Sequence, residues 1–263
     1  MKGLLEGKVA IVSGIGPGMG RDISIQFAEH AATVVAGART KANVDAVVAE
    51  VKALGGEAIG VELDITNQAQ CDAAVEAAVD TYGRVDVLVN NAFSDGDHRS
   101  FTSADLDNWR TTMETNFFGT LQLTKAVVPV MKDQGEGRIV MINSMSAVKI
   151  DPRFGAYAAS KAALGAATKT LATELGQFGI RVNAVHPGYI WSDKQKMWFE
   201  YLASRNGITY EEQFDAIAGS AALRYLPDSS EIAGTVVFLA SDLARPLTGQ
   251  AIHVNAGHFF GGF

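Results

Sequence analysis

A glycine-rich segment between a predicted strand and a predicted helix constrains the fold of this chain more than any other feature. The β-branched run at residues 8–13 is followed by four glycines at alternate positions of 14–20, and residues 21–28 continue with helical spacing. Glycines permit a tight turn and a close backbone approach, and the free N–H groups at a helix start bind negative charge. This order of elements favours a pyrophosphate-binding turn over a purely structural one.

Seven strand-like runs alternate with amphipathic segments of helical length along the 263 residues. They lie near residues 8–13, 33–37, 57–62, 85–90, 138–143, 180–185 and 250–254. Such alternation is typical of repeated strand–helix–strand units, which form a parallel sheet covered by helices. No Ser/Pro-rich linker marks a boundary, so we expect a single α/β domain over residues 1–263.

Composition and charge exclude several classes of function. The formal net charge of −7 argues against nucleic-acid binding, which depends on basic contacts to phosphate. Cys71 is the only cysteine, so an intrachain disulfide is excluded, and no metal-ligand spacing appears. No segment approaches twenty uninterrupted apolar residues, and residues 1–7 lack an apolar signal core. We therefore expect a cytoplasmic protein with neither a membrane segment nor a metal, and with Cys71 buried in a helix.

Tyr157 and Lys161 stand four residues apart, so on a helix they share one face. An ammonium beside a tyrosine favours the phenolate and lowers its pKa from about 10, so Lys161 is predicted to tune Tyr157 as a general acid. Ser144 follows the strand-like run at 138–143, and its hydroxyl can meet Tyr157 at a substrate carbonyl; Ser146 is a rival on the same face. A Tyr-x-x-x-Lys pattern alone is weak evidence for a catalytic pair, since chance produces it in roughly one chain in four of this composition.

The residues at the end of the second strand indicate whether the adenosine ribose of a bound dinucleotide carries a 2′-phosphate. An acidic residue there would bind both ribose hydroxyls and repel a 2′-phosphate. Ala38 occupies that position and Arg39 follows it. A guanidinium suits a phosphate, so NADP(H) is favoured over NAD(H), with a solvated arginine as the alternative. Pro17 adds no second positive charge in the glycine loop.

Taken together, these segments resemble the short-chain dehydrogenase/reductase family over nearly the whole chain, from Lys8 to about Val254. The resemblance implies a Rossmann-type doubly wound domain with a mostly parallel seven-stranded sheet flanked by helices. Phe93 stands where the family usually has glycine, and His186 is unusual at its position; we expect His186 to be structural rather than catalytic. The matching segments are residues 13–20, 63–66, 90–92, 115–119, 157–161 and 182–190.

The resemblance implies a role for each site residue. Tyr157 would be the acid in reduction and the base in oxidation, Ser144 would polarise the substrate oxygen, and Lys161 would lower the tyrosine pKa and bind the nicotinamide ribose. Asn116 would continue a proton relay through water, although it could simply kink or cap its helix. The implied cofactor-binding residues are Gly14, Gly18, Met19, Gly20, Arg39, Asp64, Ile65, Asn91, Tyr157, Lys161, Ile190 and Ser192.

The implied function is an NAD(P)-dependent oxidoreductase that interconverts a secondary alcohol and a ketone. Two alternatives are a nucleotide-sensing protein without catalysis and an enoyl-type reductase of carbon–carbon double bonds. Family members of the enoyl type typically space the tyrosine and lysine further apart than the four residues found here. The substrate is expected to be a small alcohol or ketone whose identity the sequence does not determine.

Residues 191–226 resemble the insertion that covers the active site in this family, and we expect a substrate lid there. Its apolar residues Trp191, Met197, Trp198 and Phe199 are expected either to line a substrate pocket or to form the buried face of two small helices or a subunit contact. Two helices, at 116–130 and 156–178, are more apolar than a solvent-facing helix requires, and Phe259–Phe263 form an apolar tail. The resemblance therefore implies a homo-oligomer, a tetramer or otherwise a dimer.

Overall fold

The computed structural model describes residues 3–261, apart from the side chains of Asp193 and Lys194. Seven parallel strands form one sheet in the order β3-β2-β1-β4-β5-β6-β7, which confirms the predicted doubly wound fold. The strands are β1 Val9–Ser13, β2 Thr33–Ala38, β3 Ala58–Glu62, β4 Val87–Asn90, β5 Gly137–Ile142, β6 Ile180–Pro187 and β7 Ala251–Val254. Each agrees with its predicted run to within two residues.

Helices cover both faces of the sheet. They are α1 Met19–Glu29, α2 Lys41–Ala53, α3 Gln68–Tyr82, α4 Leu106–Met113, α5 Thr120–Gln134, α6 Gly155–Leu175, α7 Asp193–Asn206, α8 Tyr210–Ala218 and α9 Ser229–Ala240. The helix predicted at 116–130 begins earlier than expected, because α4 continues through a π-helical turn, Glu114–Gly119, into α5. The helix predicted at 156–178 ends at Leu175, and a 3₁₀ turn, Gly176–Phe178, follows it.

The central strands are apolar on both faces because each face is covered by helices. Val12 of β1 packs with Ile23 and Phe27 of α1 in the core on one face of the sheet. Ile11, the preceding residue of the strand, packs with Leu123 of α5 in a second core on the other face. Cys71 on α3 is fully buried in the second core, as predicted. No helix within residues 3–261 is both long enough and apolar enough to cross a membrane.

The site follows from this strand order. Strand β1 lies between β2 and β4, so the chain leaves β1 toward one edge of the sheet and later returns on its other side at β4. Loops at the carboxyl ends of β1 and β4 therefore diverge and leave a crevice, which is where ligands bind in doubly wound sheets.

Candidate active site

A cleft of about 1100 Å³ opens at the carboxyl ends of β1, β4, β5 and β6. The glycine loop forms one end, and residues that follow β5 and β6 form the other. Its size is at the upper end of the range for small-molecule sites, which leaves room for a dinucleotide and a substrate together. Of the residues predicted to form the site, it brings together Gly14, Gly18, Met19, Gly20, Asn91, Ser144, Tyr157, Lys161, Ile190 and Ser192.

The glycine loop has the shape that a close phosphate approach requires. Gly18 has a φ of 117° and precedes the first residue of α1, so the free N–H groups of the first helical turn face the cleft. A Cβ at Gly20 would lie 2.5 Å from the carbonyl oxygen of Gly14, and one at Gly14 would lie 2.5 Å from the backbone of Ala92. A side chain is thus excluded at Gly14 and at Gly20, and the glycine loop fits the pyrophosphate of a dinucleotide.

Asn91 fixes this loop from the neighbouring strand. Its side-chain Nδ2 donates a hydrogen bond to the Gly14 carbonyl at 2.8 Å, and its backbone N–H donates to Ser13 Oγ at 3.2 Å. Ser13 Oγ also donates to the carbonyl of Val89 at 3.2 Å. The Ser13 hydroxyl thus links the end of β1 to the loop after β4.

Four predicted residues do not line the cleft: Arg39, Asp64, Ile65 and Asn116. Arg39 is exposed at the end of β2, and Asp64 follows β3 beside it. Burial raises the pKa of the Asp64 carboxyl, but hydrogen bonds from Thr66 and the charge of Arg39 outweigh it and hold that pKa below its ordinary value. Ile65 is buried, and a Cβ added at Gly119 would lie 3.0 Å from its side chain.

Ser144 and Tyr157 meet at the other end of the cleft. Ser144 follows β5 and is 8% exposed. Tyr157 lies in the first turn of α6. Its side chain is closely surrounded by protein but still reaches the cleft. Burial raises the pKa of Tyr157 to about 12; a hydrogen bond with Ser144 lowers it in part, and the charge of Asp95 raises it. Ser146, the rival hydroxyl, donates its backbone N–H to Ser144 Oγ at 3.1 Å.

Lys161 lies near the Tyr157 ring and bonds to the end of β5. Its Nζ is 5.7 Å from the Tyr157 ring centroid and donates to the carbonyl oxygen of Ile142 at 2.7 Å. Burial lowers the pKa of Lys161 to about 7. The pKa of Tyr157 is therefore above its ordinary value rather than below it, because desolvation of the phenol outweighs the hydrogen bond with Ser144. The role of Lys161 in lowering that pKa stays a prediction.

Asn116 lies in the π turn and is fully buried. Its Oδ1 accepts the N–H of Ser94 at 2.7 Å, and its Nδ2 donates to the carbonyl of Ser94 at 2.8 Å and to Ser160 Oγ at 2.9 Å. Ser160 Oγ in turn donates to the carbonyl of Tyr157 at 2.7 Å. The side chain therefore ties the loop after β4 to the helix that carries Tyr157 and Lys161.

The two departures from the family pattern, Phe93 and His186, lie in different surroundings. Phe93 is 54% exposed at the cleft, and its ring meets the Tyr157 ring edge-on with centroids 6.4 Å apart. His186 is 4% exposed on β6, and its ring centroid is 5.0 Å from that of His253 on β7. Phe93 is therefore a wall of the cleft, whereas His186 is a core residue.

The apolar residues of the predicted lid show both expected roles. Trp191, Met197 and Trp198 line the cleft, whereas Phe199 is fully buried in a separate core between α7 and α8. Ser192 lies at the cleft and caps α7, where its Oγ accepts the N–H of Gln195 at 3.2 Å. Met197 therefore lines the cleft, Phe199 packs internally, and Trp191 and Trp198 do both.

Several cleft residues escaped the sequence reasoning because they lie in irregular segments. The loop after β4 and the segment before α6 have no periodic pattern, and only their aromatic and acidic composition could have marked them. The serine between Tyr157 and Lys161 is another omission, since a small polar residue inside a helix often bonds to a neighbouring element. The omitted cleft residues in irregular segments are Asp95, His98, Asp151, Phe154 and Tyr189. Tyr201 of α7 also lines the cleft and was omitted, as were Ser94 and Ser160, which bind Asn116.

Comparisons with known proteins agree with this geometry. A family model described as enoyl-(acyl carrier protein) reductase matches residues 14–258. The chain is 36% identical over 258 residues to the 3-oxoacyl-(acyl carrier protein) reductase FabG of Thermotoga maritima, a match that covers 96% of this chain and 98% of that protein.

Two solved structures have nearly the same fold. An actinorhodin polyketide ketoreductase with NADPH superposes with a TM-score of 0.90 at 32% identity, covering 98% of this chain and 99% of the other. NAD⁺-bound xylitol dehydrogenase superposes with a TM-score of 0.89 at 29% identity, covering 95% and 98%. The chain belongs to the short-chain dehydrogenase/reductase family. Its predicted class, an NAD(P)-dependent oxidoreductase acting on alcohols and ketones, is confirmed by these relatives.

Proposed function

We propose that this chain interconverts a secondary alcohol and a ketone with Tyr157 exchanging the proton and Ser144 orienting the substrate oxygen. The observation that carries the proposal is the meeting of these two hydroxyls in a cleft that continues to the glycine loop. When bound, a nicotinamide nucleotide supplies or accepts the hydride. The glycine loop and Asn91 would hold its pyrophosphate end.

The protonation states of the site favour Tyr157 as the acid in reduction. With a pKa of about 12, its phenol carries a proton at neutral pH and can donate it to a substrate oxygen as negative charge develops there. Ser144 can donate a second hydrogen bond to the same oxygen. Lys161, with a pKa of about 7, exchanges a proton near neutral pH and can take part in returning one to Tyr157.

The relay role implied for Asn116 stays a prediction. Its amide is occupied by Ser94 and Ser160, so what it contributes directly is the position of the helix that carries Tyr157. Replacing this side chain would release both the loop after β4 and the start of α6.

We propose NADP(H) as the preferred cofactor. No carboxylate stands at the end of β2, where Ala38 is buried, and the exposed guanidinium of Arg39 follows it. Because Arg39 acts electrostatically on Asp64, its charge lies at the same edge as the β3 end, where the adenosine ribose would lie. An exposed guanidinium at this edge suits a 2′-phosphate better than a ribose hydroxyl.

We further propose that the chain acts as one domain with a lid at about 191–226, works in the cytoplasm and assembles as a tetramer, or otherwise a dimer. Support for assembly comes from the outer face of α6, where Ala162, Ala166 and Thr170 are exposed small residues. Phe260 in the predicted tail is 73% exposed, whereas Phe263 lies outside the described residues. Small and apolar side chains on an outer face are suited to contact with a second subunit.

Enoyl reduction, which the description of the matching family model names, is the second candidate. A Ser144–Tyr157 pair around one oxygen favours a carbonyl or alcohol instead, because both hydroxyls can act at the atom where charge develops. A panel of ketones, alcohols and enoyl thioesters, followed through absorbance of the reduced nicotinamide, separates the two reactions. Absence of turnover with every member would favour the third candidate, a nucleotide-sensing protein.

The experiment that tests the proposed role of Tyr157 is the substitution Tyr157→Phe. It deletes only the proton donor, so turnover should fall by about 10² to 10⁴-fold while cofactor affinity is largely kept. Tyr82→Phe is a matched control, since Tyr82 ends α3 and does not line the cleft. If the Tyr157 variant kept more than about a tenth of wild-type turnover, the proton-transfer role would be wrong.

A further inference from the structure

Polar side chains from three neighbouring strands form a row between α6 and the sheet. His186 of β6 pairs in register with His253 of β7. Asn143 follows Ile142, the register partner of Val185, and its N–H donates to the Val185 carbonyl at 2.8 Å. Ile142 and Val185 pack in the core on the opposite face of the sheet. Because side chains alternate along each strand, Asn143 and His186 lie side by side on the face that α6 covers.

Four buried polar atoms of this row have no hydrogen-bond partner among the residues that the structure describes. They are Asn143 Nδ2, both ring nitrogens of His186 and His253 Nδ1. Asn143 is 2% exposed and His186 4%, so bulk water does not reach them. Native proteins usually satisfy buried donors and acceptors with protein atoms or with a bound water molecule. This row therefore indicates a site for a small polar ligand.

Gly165 of α6 leaves space for such a ligand next to Asn143. A Cβ added at Gly165 would lie 3.4 Å from Asn143 Nδ2, and outside its own helix it would meet no other described atom within 4 Å. The space thus has the size of one atom and lies close to a hydrogen-bond distance from an unpartnered donor. A water molecule is the ligand that fits this size and polarity.

His186 can bind the same water because its ring is neutral. Burial, followed by the charges of His253, Lys161 and Lys169, lowers the pKa of His186 to about 4. Lys161 and Lys169 lie about one helical turn before and after Gly165, which places the ring near that glycine. A neutral imidazole donates through one nitrogen and accepts through the other, so it can pair with a water molecule in either sense.

Asn143 connects this row to the candidate active site. Its Oδ1 accepts the N–H of Ser144 at 3.0 Å, and Ser144 Oγ in turn accepts the N–H of Ser146 at 3.1 Å. One end of the Asn143 amide thus holds Ser144, while the other end, Nδ2, lies next to Gly165. A partner for Nδ2 would fix the rotation of the amide and with it the backbone that carries the Ser144 hydroxyl.

We propose that Asn143 and His186 bind a buried water molecule beside Gly165 and thereby hold Ser144 where it orients the substrate oxygen. The part that concerns Ser144 rests on the proposed alcohol/ketone reaction, whereas the water site rests only on the buried polar atoms and the space at Gly165. His186 is a positioning residue, because it does not line the cleft and acts through Asn143.

A high-resolution crystal structure of the wild type tests the site directly. It should show a water molecule within hydrogen-bond distance of Asn143 Nδ2 and of a His186 ring nitrogen. The structure of Gly165→Ala should lack this water, because the added Cβ would occupy its place. A wild-type structure without the water, or with Asn143 Nδ2 bonded directly to a protein atom, would overturn the site.

The effect on catalysis is measured in two backgrounds. His186→Leu and Gly165→Ala should each lower kcat for ketone reduction by about three- to tenfold and leave cofactor affinity unchanged, since each removes about one hydrogen bond from the support of Ser144. His186→Gln keeps a donor and an acceptor, so it should lose less than His186→Leu. In a Ser144→Ala background the same two substitutions should lower kcat by less than about twofold, because the residue through which they act is gone.

Gly234→Ala is the matched control for the added methyl group. Gly234 lies inside α9, and an added Cβ would meet only Gln26 Oε1, at 3.8 Å. The control should leave kcat unchanged. An equal loss of kcat from His186→Leu with and without the Ser144 hydroxyl would show a general structural role and would overturn the positioning role.

The outcomes separate this inference from the proposed reaction. If the wild type reduces ketones and both His186→Leu and Gly165→Ala keep its kcat, the positioning role is wrong while the reaction stands. If the wild type turns over no ketone or alcohol but its crystal structure shows the water, and that of Gly165→Ala does not, the water site stands and the proposed reaction is wrong.

Discussion

Acidification should destabilise this protein through His186 on β6. Its side chain is 4% exposed, and neither ring nitrogen has a hydrogen-bond partner within residues 3–261. Burial, followed by the charges of His253 on β7 and of Lys161 and Lys169 on α6, lowers the pKa of His186 to about 4. The ring is therefore neutral in the folded protein throughout the physiological range.

The sign of the effect follows from the two pKa values. In the unfolded chain His186 has its ordinary pKa of about 6.5, so between about pH 6.5 and 4 the unfolded state binds a proton that the folded state does not. The stability that depends on the neutral ring is complete above about pH 6.5 and is lost as the pH falls toward 4. The full difference corresponds to about 3 kcal/mol, and roughly 2 kcal/mol of it is lost by about pH 5.

The measurement is urea denaturation of the wild type and of His186→Leu at about pH 8 and about pH 5. Leucine has no titratable group and leaves no ring nitrogen without a partner, so the variant should lack the loss of roughly 2 kcal/mol. Carboxylates with a lowered pKa, such as Asp64 and Glu136, titrate in both proteins and cancel in the comparison. His30→Leu, at the end of α1, is the control.

All proteins must be compared at one concentration, because the stability of an assembly depends on it. An equal loss of unfolding free energy in the wild type and in His186→Leu between the two pH values would refute this account of the buried ring. A smaller loss in His30→Leu than in the wild type would show that the effect is not specific to His186.

Three further outcomes are expected. Arg39→Ala should remove most of the preference for NADP(H) over NAD(H) in cofactor titrations. Arg110 is an exposed arginine paired with Asp107, so the control variant Arg110→Ala should keep the preference. Equal wild-type affinities for the two cofactors would contradict the proposal. Gly20→Ala would place a Cβ 2.5 Å from the Gly14 carbonyl, so calorimetry should show cofactor binding weakened by about tenfold or more. An unchanged affinity would contradict the proposal that the glycine loop holds the pyrophosphate. Light scattering at micromolar concentration should give a multiple of 27.9 kDa, and a monomeric mass would refute the proposed assembly.

The sequence predicted the parts of the molecule that regular periodicity determines. The seven strands, the glycine turn and the shared face of Tyr157 and Lys161 all follow from spacing within one element. What it could not predict are effects of packing density across elements, such as the direction of the Tyr157 pKa, which depends on how much water reaches the phenol. The ring contacts of His98 with Phe154 and Trp198 were missed for a related reason, because His98 lies in a loop with a positive φ of 52° that no sequence repeat indicates.

The π turn around Asn116 also changes the phase of the helix that contains it. Counted at about 100° per residue, the inward positions Trp109, Thr112, Leu123 and Val127 fall on a single stripe. The π turn contains one additional residue, which rotates α4 by about 100° around the helix axis relative to α5. Trp109 therefore faces Gly155 at the start of α6, while Leu123 and Val127 face the sheet. A single stripe thus serves two partners, and an alignment with a relative that has a regular helix here requires a one-residue gap at the turn.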